Sequence, residues 1–192
     1  KGAVPPYSLK DVEKADAVLV LGEDLTNTAP MLALAIRQSV RQQPMKGVAK
    51  ANIPAWHDAA ARELVQEEKG PLFIATLAAS KLDDIATGTY RAAPDDLARF
   101  GFAVANSIDK SAPPVAGLTS EEQMLVQKIA DALTQAGRPV IISGTSCGSK
   151  ALLSAAANIA AALHKKNSAT GIVLTLPECN SMGLGLLGGA SL

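Results

Sequence analysis

Short aliphatic runs alternate along this sequence with longer helix-favouring segments, and this alternation is the feature that most constrains the fold. Residues 17–21 read Ala-Val-Leu-Val-Leu, which is typical of a strand buried on both faces of a parallel sheet. Further strands are expected at 71–77, 139–143 and 171–176, and helices at 30–42, 58–68, 94–106, 119–137 and 150–165. The pattern predicts an α/β fold in which mainly parallel sheets are flanked by helices.

Local signals refine this prediction at the ends of several elements. Ser8 is expected to cap a short helix that runs through Glu13, and Thr119 with Glu122 three positions later forms a capping-box pattern. The helix that begins at Pro30 has Asn27 and Thr28 as candidate caps. Residues 48–53 are a weaker strand candidate, and residues 81–93 are expected to be irregular.

A proline- and glycine-containing stretch at 111–117, Ser-Ala-Pro-Pro-Val-Ala-Gly, suggests a linker. We therefore predict a Rossmann-like α/β lobe over residues 1–110, a linker over 111–118, and a second α/β segment over 119–192 that is truncated at its carboxyl end. One sheet with a helical insertion is the alternative. Because no initiator methionine or targeting signal is present, the chain is expected to be a piece of a larger protein.

The composition argues against several classes of function. The 18 basic residues are balanced by 18 acidic ones, and only 3% of residues are aromatic, which disfavours nucleic-acid binding. No apolar stretch approaches the roughly 18 residues of a membrane span. The cysteines, Cys147 and Cys179, and the histidines, His57 and His164, lack the spacing of metal or cluster ligands. We therefore expect no metal site and no catalytic residue.

Two strand–glycine–helix turns, at residues 22–30 and 144–148, have the form of phosphate-binding turns at the carboxyl edge of a parallel sheet. Neither contains the GxGxxG pattern, and residues 144–150 lack the spacing of a Walker loop. Glu23 and Asp24 would also repel a phosphate in the first turn. Both turns are interpreted as structural, and the first, with Gly22, Glu23, Asp24 and Pro30, as a vestigial cofactor site.

Two single residues have a plain and a functional interpretation. Cys147 could be a thiolate activated by a helix N-terminus, but this needs a base, and His164 lies about 20 Å further along the predicted helix. We therefore predict that Cys147 is a small buried hydrophobic residue. Trp56 is predicted to be a packing anchor rather than a stacking surface.

Several segments together resemble the molybdopterin oxidoreductase family. Residues 15–22 read Ala-Asp-Ala-Val-Leu-Val-Leu-Gly, and in that family such a strand ends in Gly-x-Asn-Pro before a helix that begins with proline. Here Asp24 and Leu25 replace the family's Asn and Pro. The strand at 139–143 and the stretch Asn180-Ser-Met-Gly183 resemble later family segments. The resemblance implies Rossmann-like lobes of the formate dehydrogenase and DMSO reductase type.

Within that family, residues 15–30 are similar to the large peripheral-arm subunits of bacterial proton-translocating NADH:quinone oxidoreductases, the respiratory complex I enzymes. This implies a structural domain without a cofactor, inactive alone, in a subunit that carries iron–sulfur clusters elsewhere. Its partners would be other domains of that subunit and neighbouring complex I subunits, at the cytoplasmic side of the inner membrane and without membrane insertion. The alternatives are a molybdopterin guanine dinucleotide-binding domain of a molybdenum oxidoreductase and a free-standing Rossmann-type nucleotide-binding protein.

Overall fold

A computed structural model describes residues 3–54, 56–65 and 68–188. Its strands are β1 (Ala17–Leu21), β2 (Leu72–Thr76), β3 (Gly88–Arg91), β4 (Pro139–Gly144) and β5 (Gly171–Thr175). The helices are α1 (Leu9–Glu13), α2 (Leu25–Thr28), α3 (Pro30–Ser39), α4 (Gln42–Lys50), α5 (Asp58–Val65), α6 (Pro94–Ile108), α7 (Ser120–Gln135), α8 (Lys150–Lys166) and α9 (Ser181–Leu186), with a 3-10 helix at Asp83–Ile85.

The five strands form one parallel sheet in the order β3-β2-β1-β4-β5. In the centre of the sheet, Leu19 of β1 is paired with Phe73 of β2 on one side and with Ile141 of β4 on the other. Helices cover both faces, so the predicted α/β fold with a parallel sheet is confirmed.

Strand β1 is buried completely because its side chains alternate between two hydrophobic cores. Leu19 and Leu21 pack with residues of α6, α7 and α8 on one face, whereas Val18 and Val20 pack with residues of α1 and α3 on the other. Both faces therefore need apolar residues, which explains the uninterrupted hydrophobic run of this strand. None of the helices in the described ranges is long and apolar enough to span a membrane.

Strands from both sides of residues 111–118 belong to this single sheet, since β1 is hydrogen-bonded to β4. The chain therefore has one sheet that contains strands from before and after this segment. Residues 111–118 contain neither helix nor strand, and they are attached to α6: Arg99 donates to the Gly117 carbonyl at 2.9 Å, and Asn106 donates to the Ala112 carbonyl at 2.6 Å. The division at 111–118 into two folding units stays a prediction.

Three local predictions are wrong. Residues 48–50 end helix α4 instead of forming a strand, because Pro44 fits the first helical turn and buried Val48 lies one turn after Met45. Residues 81–93 contain β3, whose side chains are only half buried at the sheet edge and so lack the apolar pattern. Asn27 and Thr28 lie within α2 and do not cap α3. The predicted caps Ser8 and Thr119 are confirmed.

The crevice between the first and fourth strands

The carboxyl edge of the sheet between β1 and β4 is the candidate functional site. From β1 the chain order runs outward to β2 and β3, and then returns to β4 on the opposite side of β1. In doubly wound sheets, ligands bind in the crevice that forms at such a switch point. The turn after β1, residues 22–30, and the turn after β4, residues 144–148, both leave the sheet here, as the sequence predicts.

Gly22 sets the path of the first turn. Its φ of +83° lies in the left-handed region that favours glycine, and its N–H donates to the Ala75 carbonyl at 2.7 Å. A Cβ at this position would lie 2.6 Å from Cδ2 of Leu152, a fully buried residue of α8. The close approach of α8 to the end of β1 therefore requires glycine here.

Glu23 is the residue that fills the crevice. Its side chain is only 1% exposed, and its two carboxylate oxygens accept hydrogen bonds from the Ser146 N–H at 2.9 Å and the Ser146 hydroxyl at 2.7 Å. The carboxylate thus joins the two turns across the switch point. A buried carboxylate with two hydrogen bonds is held far more firmly than an exposed one.

Asp24 has a different role, as the N-cap of α2. Its carboxylate accepts hydrogen bonds from the Thr26 N–H at 3.2 Å, the Thr26 hydroxyl at 2.6 Å and the Asn27 side-chain amide at 2.5 Å. Pro30 then begins α3, where its missing N–H has no cost in the first turn. Each of the four residues of the predicted vestigial turn therefore has a structural role in the turn or in the helix that follows it.

The second turn is held to the first and to β5. The Cys147 thiol lies 2.9 Å from the Gly22 carbonyl and donates to it, and the Thr145 N–H donates to the Thr175 carbonyl at 3.2 Å. Ser149 caps α8 by accepting from the Leu152 N–H at 3.3 Å. Sequence reasoning points to this turn but not to Ser146, because the partner that gives that residue its importance is 123 positions away.

Cys147 is half buried and packs against the core between the sheet and α8, so the hydrophobic role predicted for it holds in part. Burial, together with the nearby Glu23 carboxylate, raises the pKa of the Cys147 thiol. This is the opposite of thiolate activation, since the pKa of a nucleophilic cysteine is lowered.

Because its pKa is raised and its access is restricted, Cys147 should react with iodoacetamide at pH 8 at least about tenfold more slowly than exposed Cys179. The rates would be measured by mass spectrometry of the modified peptides. A Cys179→Ser chain serves as the control and should retain only the slow reaction. Equal or faster modification of Cys147 would mean that the crevice activates the thiol.

The remaining candidates lie away from the crevice. Trp56 is 81% exposed and makes an edge contact with the His57 ring, so its predicted role as a packing anchor is wrong. His164 lies in the last turn of α8, and Cys147 precedes the start of that helix. In residues 3–54, 56–65 and 68–188, no three His, Cys, Asp or Glu side chains are grouped so that they could hold a metal ion.

A cleft of about 560 Å³ lies at the opposite, amino edge of the sheet. Its walls include Lys50 and Lys69 and the residues just before β1, β2 and β3, namely Asp16, Pro71 and Thr87. Asp16 accepts hydrogen bonds from the Gly137 N–H at 3.1 Å and the Arg138 N–H at 2.7 Å. This carboxylate therefore fixes the connection from α7 to β4, far from the switch point.

Comparison with known proteins identifies relatives along the full chain, although no family model matches it. The chain is 54% identical over 188 residues to the G subunit of NADH-quinone oxidoreductase of Pseudomonas fluorescens, covering 98% of this chain and 21% of that protein. It is 50% identical over 188 residues to the G subunit of Pseudomonas putida, again with 98% and 21% coverage. It is 44% identical over 192 residues to that of Escherichia coli K12, with 100% and 21% coverage.

The chain thus spans about a fifth of the length of these curated relatives. The resemblance inferred from residues 15–30 is confirmed by this similarity along the whole chain. Along its whole length the chain is therefore homologous to one segment, about a fifth, of NADH-quinone oxidoreductase G subunits.

Proposed function

We propose that this chain is a structural domain without a cofactor, in the large peripheral-arm subunit of a bacterial NADH:quinone oxidoreductase. The parent subunit would carry its iron–sulfur clusters outside these residues, and the enzyme would pass electrons from NADH to quinone and translocate protons. The domain would pack against other domains of the subunit and neighbouring complex I subunits, at the cytoplasmic side of the inner membrane. It binds no nucleic acid and does not enter the membrane.

The observation that carries the proposal is the position of the Glu23 carboxylate. In doubly wound folds that bind dinucleotides, turn N–H groups and a helix N-terminus face a phosphate at the switch point. Here the Ser146 N–H of that turn donates to Glu23 instead. An internal anion thus accepts from a turn N–H that would otherwise be available to a ligand anion, and a phosphate entering there would meet a carboxylate of the same charge.

A molybdopterin guanine dinucleotide-binding domain is the alternative from the same family. It would need the space between the two turns for the pyrophosphate of the cofactor. The Glu23 side chain is buried between those turns, and Asp24 and Leu25 replace the Asn and Pro of the molybdopterin oxidoreductase pattern. The scaffold proposal therefore fits the residues at the switch point better than the cofactor-binding one.

A scaffold and a redox domain respond differently to variants in the parent complex. Gly101→Ala would crowd α6 against α8, because the added Cβ would lie 2.9 Å from the Ala155 Cβ and 3.0 Å from Cδ2 of Leu21. Glu23→Gln would weaken the link to Ser146. We expect both variants to lower the amount of assembled complex severalfold, while NADH:quinone turnover per assembled complex stays within about 20% of the wild type.

The two quantities would be measured by native gel quantification and by activity normalised to bound flavin. Glu13→Gln makes the same chemical change as Glu23→Gln at an exposed residue and should alter neither quantity. A normal amount of complex with a turnover several times lower in Glu23→Gln would contradict the scaffold proposal.

A further inference from the structure

Strand β5 forms one edge of the sheet, and the outer side of its backbone is only partly paired. The Ile172 N–H donates to the Pro5 carbonyl at 3.2 Å, and the Ile172 carbonyl accepts from the Tyr7 N–H at 3.0 Å. Backbone groups of successive strand residues point to opposite sides, so Leu174 presents its N–H and carbonyl on the same outer side as Ile172. Over the described part of the chain, backbone pairing on that side stops at Ile172.

The side chains around this open edge are apolar. Leu174 is 45% exposed, and Val173 lines a groove of about 540 Å³ together with Tyr7, Leu9 and Met31. Residues 171–176 contain no charged side chain. Exposed edges of natural sheets are usually protected by charges, bulges or a covering element, because an open apolar edge pairs with other chains. Among the described residues, no charge, bulge or covering element protects the edge at Leu174.

We infer that an extended segment from the rest of the parent subunit adds to the outer edge of β5 as a further strand, pairing with Leu174 beyond Tyr7. The inference rests on the proposed function, since it concerns a domain embedded in a larger subunit. The doubly wound order 3-2-1-4-5-6 has a sixth strand beside the fifth, at the edge that residues 5–7 cover here only as far as Ile172. About four-fifths of the relatives' length lies outside the aligned region and can supply it.

The chemistry of the occupant follows from the edge. Only an extended backbone offers a donor and an acceptor at the spacing of the Leu174 N–H and carbonyl. Its side chains should be aliphatic or aromatic on the side that contacts the groove lined by Leu9, Met31 and Val173, since that lining is apolar. A helix would satisfy neither backbone group, because its own N–H and carbonyl groups are paired internally.

Hydrogen exchange in the purified complex tests whether the edge is occupied. We expect the Leu174 amide to exchange at a rate within about tenfold of that of Val173, whose N–H is directed towards β4. Electron-transfer fragmentation of peptides spanning residues 170–177 gives the required single-residue resolution. Exchange of Leu174 at the rate of an unstructured amide would overturn the inference.

Photo-crosslinking identifies the occupant. Photo-leucine has nearly the shape of leucine, so complex from cells grown with it can be irradiated, digested and analysed for links localised to residue 174. A link to a segment of the same subunit outside the 192 residues supports the inference. Links only to a second copy, to a different subunit, or to residues within 3–188 overturn it.

A pair of variants in the full subunit gives an independent test. Leu174→Pro deletes the outward N–H, a change that is tolerated on an open edge but not in a paired strand. We expect Leu174→Pro to lower incorporation of the subunit into the complex about fivefold, the equivalent of one lost backbone hydrogen bond. Leu174→Thr keeps the N–H and should not lower it. Equal incorporation of the two variants overturns the inference.

The outcome is separable from that of the proposed function. If dinucleotides bind between the turns after β1 and β4, the scaffold proposal fails while the links from Leu174 are unaffected. If Leu174 is open in the complex, strand addition fails while the crevice closed by Glu23 remains.

Discussion

Replacing Gly144 by alanine should lower the free energy of unfolding of the 192-residue chain by about 3 kcal/mol or more. Gly144 ends β4, where the chain passes closely between Glu23 and Thr175. An added Cβ would overlap the Thr175 hydroxyl and the Glu23 carboxylate, and would lie 2.6 Å from the Thr175 carbonyl oxygen. That oxygen belongs to β5 and cannot rotate away, so the sheet itself would have to shift.

Urea denaturation followed by circular dichroism would measure this effect. Gly47→Ala is the matched control, because Gly47 is exposed in α4 and a Cβ there would have no atom within 4 Å. Alanine favours a helix over glycine, so this control should stabilise the chain by about 0.5–1 kcal/mol. Similar changes in the free energy of unfolding of the two variants would mean that the residues around Gly144 can accommodate a Cβ.

The second large effect is expected from removing the Glu23 carboxylate. Glu23→Ala should lower the free energy of unfolding by about 3 kcal/mol, because the Ser146 N–H and hydroxyl lose their acceptors and a cavity opens. Asp24→Ala removes an acid from the neighbouring position, but that acid is the N-cap of α2. Its loss should cost only about 1 kcal/mol.

A double-mutant cycle with Ser146→Ala separates the hydrogen bond from the general cost of truncation. We expect the double variant to be more stable than the sum of the single effects predicts, by about 1–3 kcal/mol, since the two side chains interact directly. Chemical denaturation of the four chains gives the coupling free energy. Strict additivity would contradict the direct link between the two turns.

The central strands can be predicted from sequence because burial on both faces of the sheet requires apolar residues at successive positions. An aliphatic run coincides with each of the strands β1, β2, β4 and β5. The predicted bounds of these strands agree with the observed ones to within one or two residues. Strand β3 reads Gly-Thr-Tyr-Arg and is half buried, so its formation depends on pairing with β2 and not on its own composition. The local sequence pattern does not predict a strand that forms because a neighbouring strand pairs with it.

Long-range pairing also explains what sequence reasoning can and cannot find at the crevice. The two turns and the acidic character of the first are evident from the spacing of Gly22, Glu23 and Pro30. The inward direction of Glu23 is not, because it depends on Ser146, which the fold brings across from the second half of the chain. From sequence alone, an acidic residue that follows a strand is predicted to be exposed, because its hydrogen-bond partner is not known.

How the two halves of the chain pair with each other is equally hard to predict from the sequence. The Pro-Pro pair and Gly117 are typical of a linker. In the structure, however, Arg99 and Asn106 donate hydrogen bonds to this segment, and its Val115 packs against the core. The insertion of β1 between β2 and β4 is a property of the whole sheet. No local composition signals that residues 139–144 will pair with residues 17–21.

A switch point whose anion site is taken by an internal carboxylate should hold no dinucleotide, and calorimetric titration of the 192-residue chain with GDP, GTP and NADH tests this most directly. The Glu23 carboxylate would repel each ligand phosphate by about 1 kcal/mol at 4 Å in water, and by several times more in the restricted crevice. We predict no saturable heat up to millimolar ligand. Micromolar binding that shifts the amide resonances of residues 22–30 would contradict the scaffold role and favour a domain that still holds a dinucleotide cofactor.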